Sequence, residues 1–341
     1  MATPTAARPT KRLTVMGAGS WGTALAIALS SRFDSIKLWA HDPGRACEMK
    51  TCRENRRYLP GFLLPANVSV CFEAAKALHS SDIVLAVVPS AHLRGVLESM
   101  RPHLSASTRI VSATKGMEEQ TFFTMSQVIR DALRGACQAP VAVLSGPTFA
   151  KEIAAGEPAA VVIACDDLQI AEDIQQAFAT SALRLYASSD VAGVELGAAL
   201  KNVIAIGAGI CSGLGLGSNS LAALVTRGLA EITRLAVTMG GNPRTLAGLA
   251  GLGDLLLTCT GELSRNRAVG VQLARGHRLR QVLAGMTMVA EGVATCRAAY
   301  RLGIERRVDL PIIDKMHEVL YEAKDPRQAI RELMDRPLTN E

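Results

Sequence analysis

Short apolar runs punctuate the first half of the chain, and helical spacing fills the gaps between them. The runs lie at residues 13–16, 36–40, 82–89, 109–116, 141–147, 159–164 and 182–188. A helical stretch covers residues 168–180. Strands that alternate with helices predict a parallel, doubly wound sheet, because each crossover helix must cover a sheet face. Ligands of such sheets bind beyond the carboxyl ends of the strands. The loops after Met16, Val88, Ser112 and Leu144 are therefore expected to face one crevice.

Near Asp190 the alternation stops. VAGVELGAALKNVIAIGAGI (191–210) and LAALVTRGLAEITRLAVTMG (221–240) have helical spacing, and short helical segments broken by Gly and Pro follow. The fold class expected is thus α/β, an N-terminal Rossmann-type sheet followed by an all-α C-terminal domain. The expected division is a disordered tail over 1–10, a dinucleotide-binding domain over 11–190 and a helical substrate-binding and catalytic domain over 191–341.

The first strand runs into Gly17-Ala-Gly19-Ser-Trp-Gly22 and then an Ala/Leu helix. This is G-x-G-x-x-G in the strand-to-helix setting that gives the pattern meaning. Gly17 permits the tight turn, Gly19 lets backbone approach a pyrophosphate, and Gly22 lets helix and strand pack closely. The free N–H groups at the helix start then face the phosphates.

Composition narrows the picture. Of 341 residues, 49% are hydrophobic but only 4% aromatic, so Ala, Val, Leu and Ile must build the core. The net charge of +6 suits phosphorylated small molecules, and the scattered basic residues form no nucleic-acid stripe. The eight cysteines, at 47, 52, 71, 137, 165, 211, 259 and 296, form no C-x-x-C and no zinc-like spacing with His. No metal is expected, and dispersed thiols fit a reducing, cytoplasmic setting. The N-terminus lacks the apolar core of a signal peptide. The most apolar stretch, 203–217, is short for a membrane span, so no membrane insertion is expected.

Three clusters in the second half bear on chemistry. Lys201 lies in an almost wholly apolar helix, so it either loses proton affinity or finds a partner there, or snorkels to the surface. Asp254 is the one acid in a run of Gly and Leu; it pairs with Lys201, holds a substrate hydroxyl, or caps a helix. Ser264-Arg265-Asn266-Arg267 opens a helix, as a phosphate site or as a basic surface turn. Asp42 stands where an acid can hold the ribose of NAD, yet His41 and Arg45 beside it favour the extra phosphate of NADP; Asp42 is equally suited to a turn before Pro43.

GAGSWGTALA, NRRYLPG (55–61), SATKGME (112–118), LSGPTFAKEIAAGEP (144–158), ELGAALKNVIAIGAGI (195–210), GLGDLLLTC (251–259), SRNR (264–267) and VAEGVAT (289–295) occur in this order. Together they resemble the NAD(P)-dependent glycerol-3-phosphate dehydrogenases of the soluble bacterial type, from about residue 12 to about residue 325. The resemblance implies reversible reduction of dihydroxyacetone phosphate to sn-glycerol 3-phosphate with NAD(H) or NADP(H), which supplies the glycerophospholipid backbone. It implies Lys201 as the proton donor and acceptor. Lys115, Gly146, Thr148, Asp254, Ser264, Arg265 and Asn266 would bind substrate with it. Gly17, Gly19, Ser20, Trp21, Gly22, His41, Lys115, Ala150, Arg265, Val289 and Glu291 would bind the cofactor. For Val289 and Glu291 the residues alone suggest no more than a helix start. The family also implies a homodimer. Two other readings are an oxidoreductase acting on a hydroxy acid or 6-phosphogluconate, and a silent dinucleotide sensor.

Overall fold

The computed structural model describes residues 11–136 and 140–338. The expected N-terminal tail and Cys137 lie outside the described residues. Ten strands form among the described residues: β1 (Arg12–Met16), β2 (Ser35–Trp39), β3 (Glu54–Asn55), β4 (Leu59–Leu63), β5 (Val68–Cys71), β6 (Ile83–Ala86), β7 (Arg109–Ser112), β8 (Val141–Ser145), β9 (Ala159–Ala164) and β10 (Leu183–Ser188). Eight of them build one sheet in the order β10-β9-β8-β7-β6-β1-β2-β5, while β3 and β4 form a separate hairpin. The order reverses beside β1, which pairs in parallel with both β2 and β6 (Val15 opposite Leu38 and Leu85). The glycine turn leaves β1 at this switch point, where ligands of doubly wound sheets bind.

One expectation is corrected. The sheet is not parallel throughout: β9 runs antiparallel to β8, with Leu144 opposite Ile163, and β10 follows β9 in parallel. The only helix between β8 and β9, Ala150–Ala155, has six residues. It spans about 9 Å, against about 16 Å for a five-residue strand. It cannot carry the chain back to the start of a parallel neighbour, so β9 enters from the opposite end. Two elements also escaped the sequence reading, β5 and the β3–β4 hairpin. Both are short, and Val68-Ser-Val-Cys71 shows only a single period of alternation.

After Ser188 no strand occurs among the described residues. The long helix Val191–Gly213 begins where Asp190 accepts from the Gly193 N–H at 2.8 Å. It is apolar nearly all round, as a helix surrounded by neighbours must be. Its length and hydropathy exceed the sequence expectation and would suffice to cross a bilayer, but the apolar window is wholly buried in the fold. Two glycine pairings set the closest approach. A Cβ on Gly270 would lie 1.9 Å from the Ile206 carbonyl oxygen, and one on Gly209 would lie 2.0 Å from that of Arg267. The helix Arg265–Ala274 can thus lie directly on the long helix.

Separate apolar clusters flank the sheet and fill the helical half. Met117, from the loop after β7, belongs to the helical cluster. A buried carboxylate reinforces this junction. Glu195 of the long helix accepts from Ser126 N–H at 2.7 Å and Ser126 Oγ–H at 2.6 Å. Burial pushes this carboxyl up from its ordinary range, while the Ser126 and Thr124 hydroxyls oppose the shift.

Candidate active site

The glycine turn is shaped by close backbone approach. Gly17 has φ +117°, and a Cβ there would meet the Val87 carbonyl oxygen at 2.7 Å. A Cβ on Gly22 would meet the Gly17 oxygen at 1.9 Å, whereas one on Gly19 would meet nothing within 4 Å. Two glycines are therefore dictated by the protein itself, and the third opens onto free space. The helix Ser20–Ala28 starts at Gly19 without a side-chain cap. Its first N–H groups and the space over Gly19 fit the pyrophosphate of a dinucleotide. Trp21 Nε1 is buried with no hydrogen-bond partner. Ser20 Oγ donates to the Tyr58 carbonyl at 2.6 Å and touches Met288 Sδ at 3.0 Å.

At the end of β2, His41 is exposed. Asp42 caps the helix Pro43–Cys52, accepting from the Arg45 N–H at 2.7 Å. This hydrogen bond holds the Asp42 carboxyl below its usual range. The turn reading of Asp42 is thus realised. Arg45 Nη1 donates to the Tyr58 hydroxyl at 2.5 Å, and Arg57 lies over the same ring.

Two loops and two helices build a second constellation. Lys201 Nζ donates to Asp254 Oδ1 and, at 2.8 Å, to Thr258 Oγ1. Lys115 Nζ, from the loop after β7, donates to Asp254 Oδ2 at 2.8 Å and to the Gly146 carbonyl at 3.0 Å. Thr148 Oγ1 donates to the same carbonyl at 3.1 Å. One carboxylate thus joins two ammonium groups, one from the sheet half and one from the long helix. The Asp254 side chain is 1% exposed, that of Lys201 6% and that of Lys115 16%, so only Lys115 retains appreciable contact with solvent.

The run of Gly and Leu before Asp254 explains its placement. Residues Leu249–Gly253 make one turn of π-helix, and Asp254 then opens the helix Asp254–Thr260. A Cβ on Gly251 would lie 2.0 Å from the Leu246 carbonyl oxygen, so the wide turn closes only around glycine. Such π-turns re-aim side chains at functional sites. The helix-cap reading of Asp254 is overturned, because its carboxylate is taken by the two lysines. Burial pushes the Lys201 ammonium down to about 7, against the attraction of Asp254 and with the repulsion of Lys115. The snorkelling reading is likewise overturned.

Ser264 is an N-cap, as its position suggests, accepting from the Arg267 N–H at 3.2 Å. Arg265 is exposed and donates to the Val289 carbonyl at 3.0 Å. Asn266 is buried; its amide donates to Asn202 Oδ1 at 2.9 Å and accepts from the Gly292 N–H at 2.9 Å. Asn202 follows Lys201 on the long helix, so Asn266 connects this turn to the lysine cluster. Glu291 opens the helix Glu291–Arg306, as a helix start should, but also reaches across the molecule. It accepts from Ser90 N–H at 3.0 Å and from Ser90 Oγ–H, at the start of the helix Ser90–Met100. Burial raises the Glu291 carboxyl, and these two hydrogen bonds oppose the rise. Val289 is 47% exposed, and Ala150 begins its short helix against the sheet core.

Thr258, Asn202 and Ser90 escaped the sequence reading. Thr258 carried a usable signal, since it stands four residues after Asp254 on one helix face. Ser90 carried none, because its partner lies 201 residues away. Among the described residues, no group of three or more His, Cys, Asp or Glu is placed to hold a metal ion.

Comparison with known proteins places this geometry in context. Residues 12–171 match the model described as NAD-dependent glycerol-3-phosphate dehydrogenase N-terminus, and residues 190–331 match that of the C-terminus. The chain is 51% identical over 332 residues to a glycerol-3-phosphate dehydrogenase [NAD(P)+] of Koribacter versatilis, covering 97% of this chain and 98% of that protein. It is 48% identical to the enzyme of the same name from Geobacter sp. strain M21, covering 97% and 99%. The crystal structure of glycerol-3-phosphate dehydrogenase from Coxiella burnetii superposes with a TM-score of 0.92 at 37% identity, covering 96% of this chain and 99% of that one.

Proposed function

The chain belongs to the NAD-dependent glycerol-3-phosphate dehydrogenase family, and on that premise we propose which of its residues carry the reaction. The enzyme interconverts dihydroxyacetone phosphate and sn-glycerol 3-phosphate with NAD(H) or NADP(H), the reaction that supplies the glycerophospholipid backbone. In our reading Lys201 moves the proton. The observation that carries this is the buried Lys201 ammonium, depressed toward neutrality and sharing Asp254 with Lys115.

The bound nicotinamide supplies the hydride. As negative charge grows on the carbonyl oxygen, protonated Lys201 stabilises it and delivers a proton. In the oxidative direction neutral Lys201 accepts the hydroxyl proton. Asp254 holds both lysines in place and keeps Lys201 from losing its proton too readily. Lys115, Gly146 and Thr148 line the substrate from the sheet side. Ser264, Arg265 and Asn266 anchor the substrate phosphate at the start of the helix Arg265–Ala274, which fixes the reacting carbon by orientation. Gly17, Gly19, Ser20, Trp21, Gly22, His41, Lys115 and Ala150 hold the dinucleotide from the sheet side, with Arg265, Val289 and Glu291 closing from the helical half.

Replacing Arg265 with Ala is expected to raise the KM for dihydroxyacetone phosphate about 10- to 100-fold, the worth of a charge-assisted hydrogen bond to phosphate. The fall in kcat should be much smaller. Initial rates at saturating NADPH decide this, and an unchanged KM would remove Arg265 from the anchor.

Both dinucleotides are used, and NADPH is preferred. The support is basic: His41 is exposed, Arg45 and Arg57 both lie over the Tyr58 ring, and Asp42 is engaged as a cap. The ratio of kcat/KM for NADPH and NADH tests this, and a large preference for NADH would overturn it.

The same reading divides the protein at residue 190, between β10 and the long helix, into a cofactor domain and a catalytic domain. It also takes the enzyme to be a cytoplasmic homodimer. The location is supported by free thiols at all seven described cysteines. The dimer rests on family membership.

A further inference from the structure

Of the motif NRRYLPG, the proposed function uses only Arg57. Its first residue, Asn55, ends β3 and is 1% exposed. Its side-chain nitrogen donates to the Ala18 carbonyl at 3.0 Å and to Thr23 Oγ1 at 2.8 Å. Its oxygen accepts from the Tyr58 N–H at 3.3 Å, within the β3–β4 turn. Ala18 is the residue between Gly17 and Gly19, and Thr23 lies in the first turn of the following helix. Both amide hydrogens of Asn55 are therefore spent on the glycine turn.

The peptide joining Ala18 to Gly19 is planar and trans, so its C=O and N–H point in opposite directions. With the carbonyl drawn to Asn55, the Gly19 N–H is turned to the opposite side of the peptide. A glycine peptide is otherwise free to rotate, since no Cβ restricts it. We propose that Asn55 is a positioning residue for the cofactor: by holding the Ala18 carbonyl, it aims the Gly19 N–H at the dinucleotide pyrophosphate. The β3–β4 hairpin is the support from which it acts, tied a second time by Ser20 Oγ to the Tyr58 carbonyl. This rests on the reading that the cofactor lies on the glycine turn.

Two substitutions separate aiming from mere packing. Asn55→Asp keeps shape but replaces the donor with a carboxylate facing the Ala18 oxygen. Ionised, it repels that carbonyl; protonated, its O–H donates to it. Asn55→Ser is too short to reach. NADH is the probe, because it lacks the titrating 2′-phosphate, and its Kd is measured by fluorescence from pH 5 to pH 8. Asn55→Asp should bind NADH about tenfold more weakly than wild type at pH 8, with the ratio closing toward pH 5. Asn55→Ser should be weaker by a similar factor at every pH. The KM for dihydroxyacetone phosphate at saturating cofactor should stay within twofold in both.

A ratio for Asn55→Asp that stays within twofold at pH 8, or that does not change with pH, overturns the inference. So does Asn55→Ser binding as wild type, which also decides the matter if the aspartate variant fails to fold at pH 8. Gly19→Val, which fills the open space, is the control for the underlying reading. If it leaves NADH binding intact, the cofactor site itself is misplaced. If it abolishes binding while Asn55→Asp and Asn55→Ser do not weaken it, only the role of Asn55 falls.

Discussion

Lys201→Met is expected to lower kcat for the reduction of dihydroxyacetone phosphate about 10³-fold. Methionine keeps the length of the side chain and suits the apolar helix, but it has no proton to give. A positioned general acid contributes about 10²–10⁴-fold, and the loss of its charge near the forming alkoxide adds to the upper part of that range. Binding of NADPH should change little, since Lys201 lies with the substrate residues. Wild type carries a second signature. Burial places the Lys201 titration at about 7. Reduction uses the protonated form, so log kcat/KM for reduction should be level below that pH and decline above it. Oxidation uses the neutral form and should rise through the same window. Steady-state rates in both directions, from pH 5.5 to 9, provide the check. A variant within tenfold of wild type, or parallel profiles in the two directions, would remove Lys201 from the proton path.

Asp254→Ala should have the next largest effect, and for a different reason. Its carboxylate serves two ammonium groups, Lys201 and Lys115. Without it both face each other in a poorly hydrated space. Removing one partner of a buried ion pair costs about 3–5 kcal/mol, because the remaining charge stays desolvated. Lys201 has an escape, which is to release its proton. The attraction of Asp254 raises the Lys201 titration in the folded enzyme, so its loss must move the reductive breakpoint to lower pH. At pH 7.5 the reductive kcat/KM should therefore fall about 10²-fold or more. Urea denaturation at that pH should show a lower midpoint. Asp254→Asn preserves the shape and should move the breakpoint in the same direction. A breakpoint that remains in place in both variants would mean that Asp254 does not govern Lys201.

Most of the architecture was legible in local pattern. The glycine turn announced itself because its spacing is a steric requirement. Gly17 and Gly22 would each drive a Cβ into backbone, so few sequences can satisfy the turn. The long helix was equally plain, although it runs past the expected end to Gly213. The direction of β9 was not legible, since a strand reads the same whichever way it runs; only the shortness of the helix Ala150–Ala155 held a clue. Asn55 and Ser90 were invisible for another reason. Their meaning lies in partners 32–37 and 201 residues distant, and no spacing rule reaches that far.

The ambivalent residues show where the boundary falls. Sequence alone determined that a lysine would sit in an apolar helix and that a lone acid would follow a run of glycines. It could not choose between a buried pair and a surface lysine beside a helix cap, because both are locally satisfactory. Tertiary structure decided it by bringing Asp254, turned by one π-helical turn, against Lys201 and Lys115. Desolvation and charge act over a few ångströms of space, not over residues of chain. The lysine–aspartate cluster therefore exists only in the folded chain, where Lys115 of the sheet half meets the Lys201–Asp254 pair of the helical half, whereas the glycine turn is written in the chain itself.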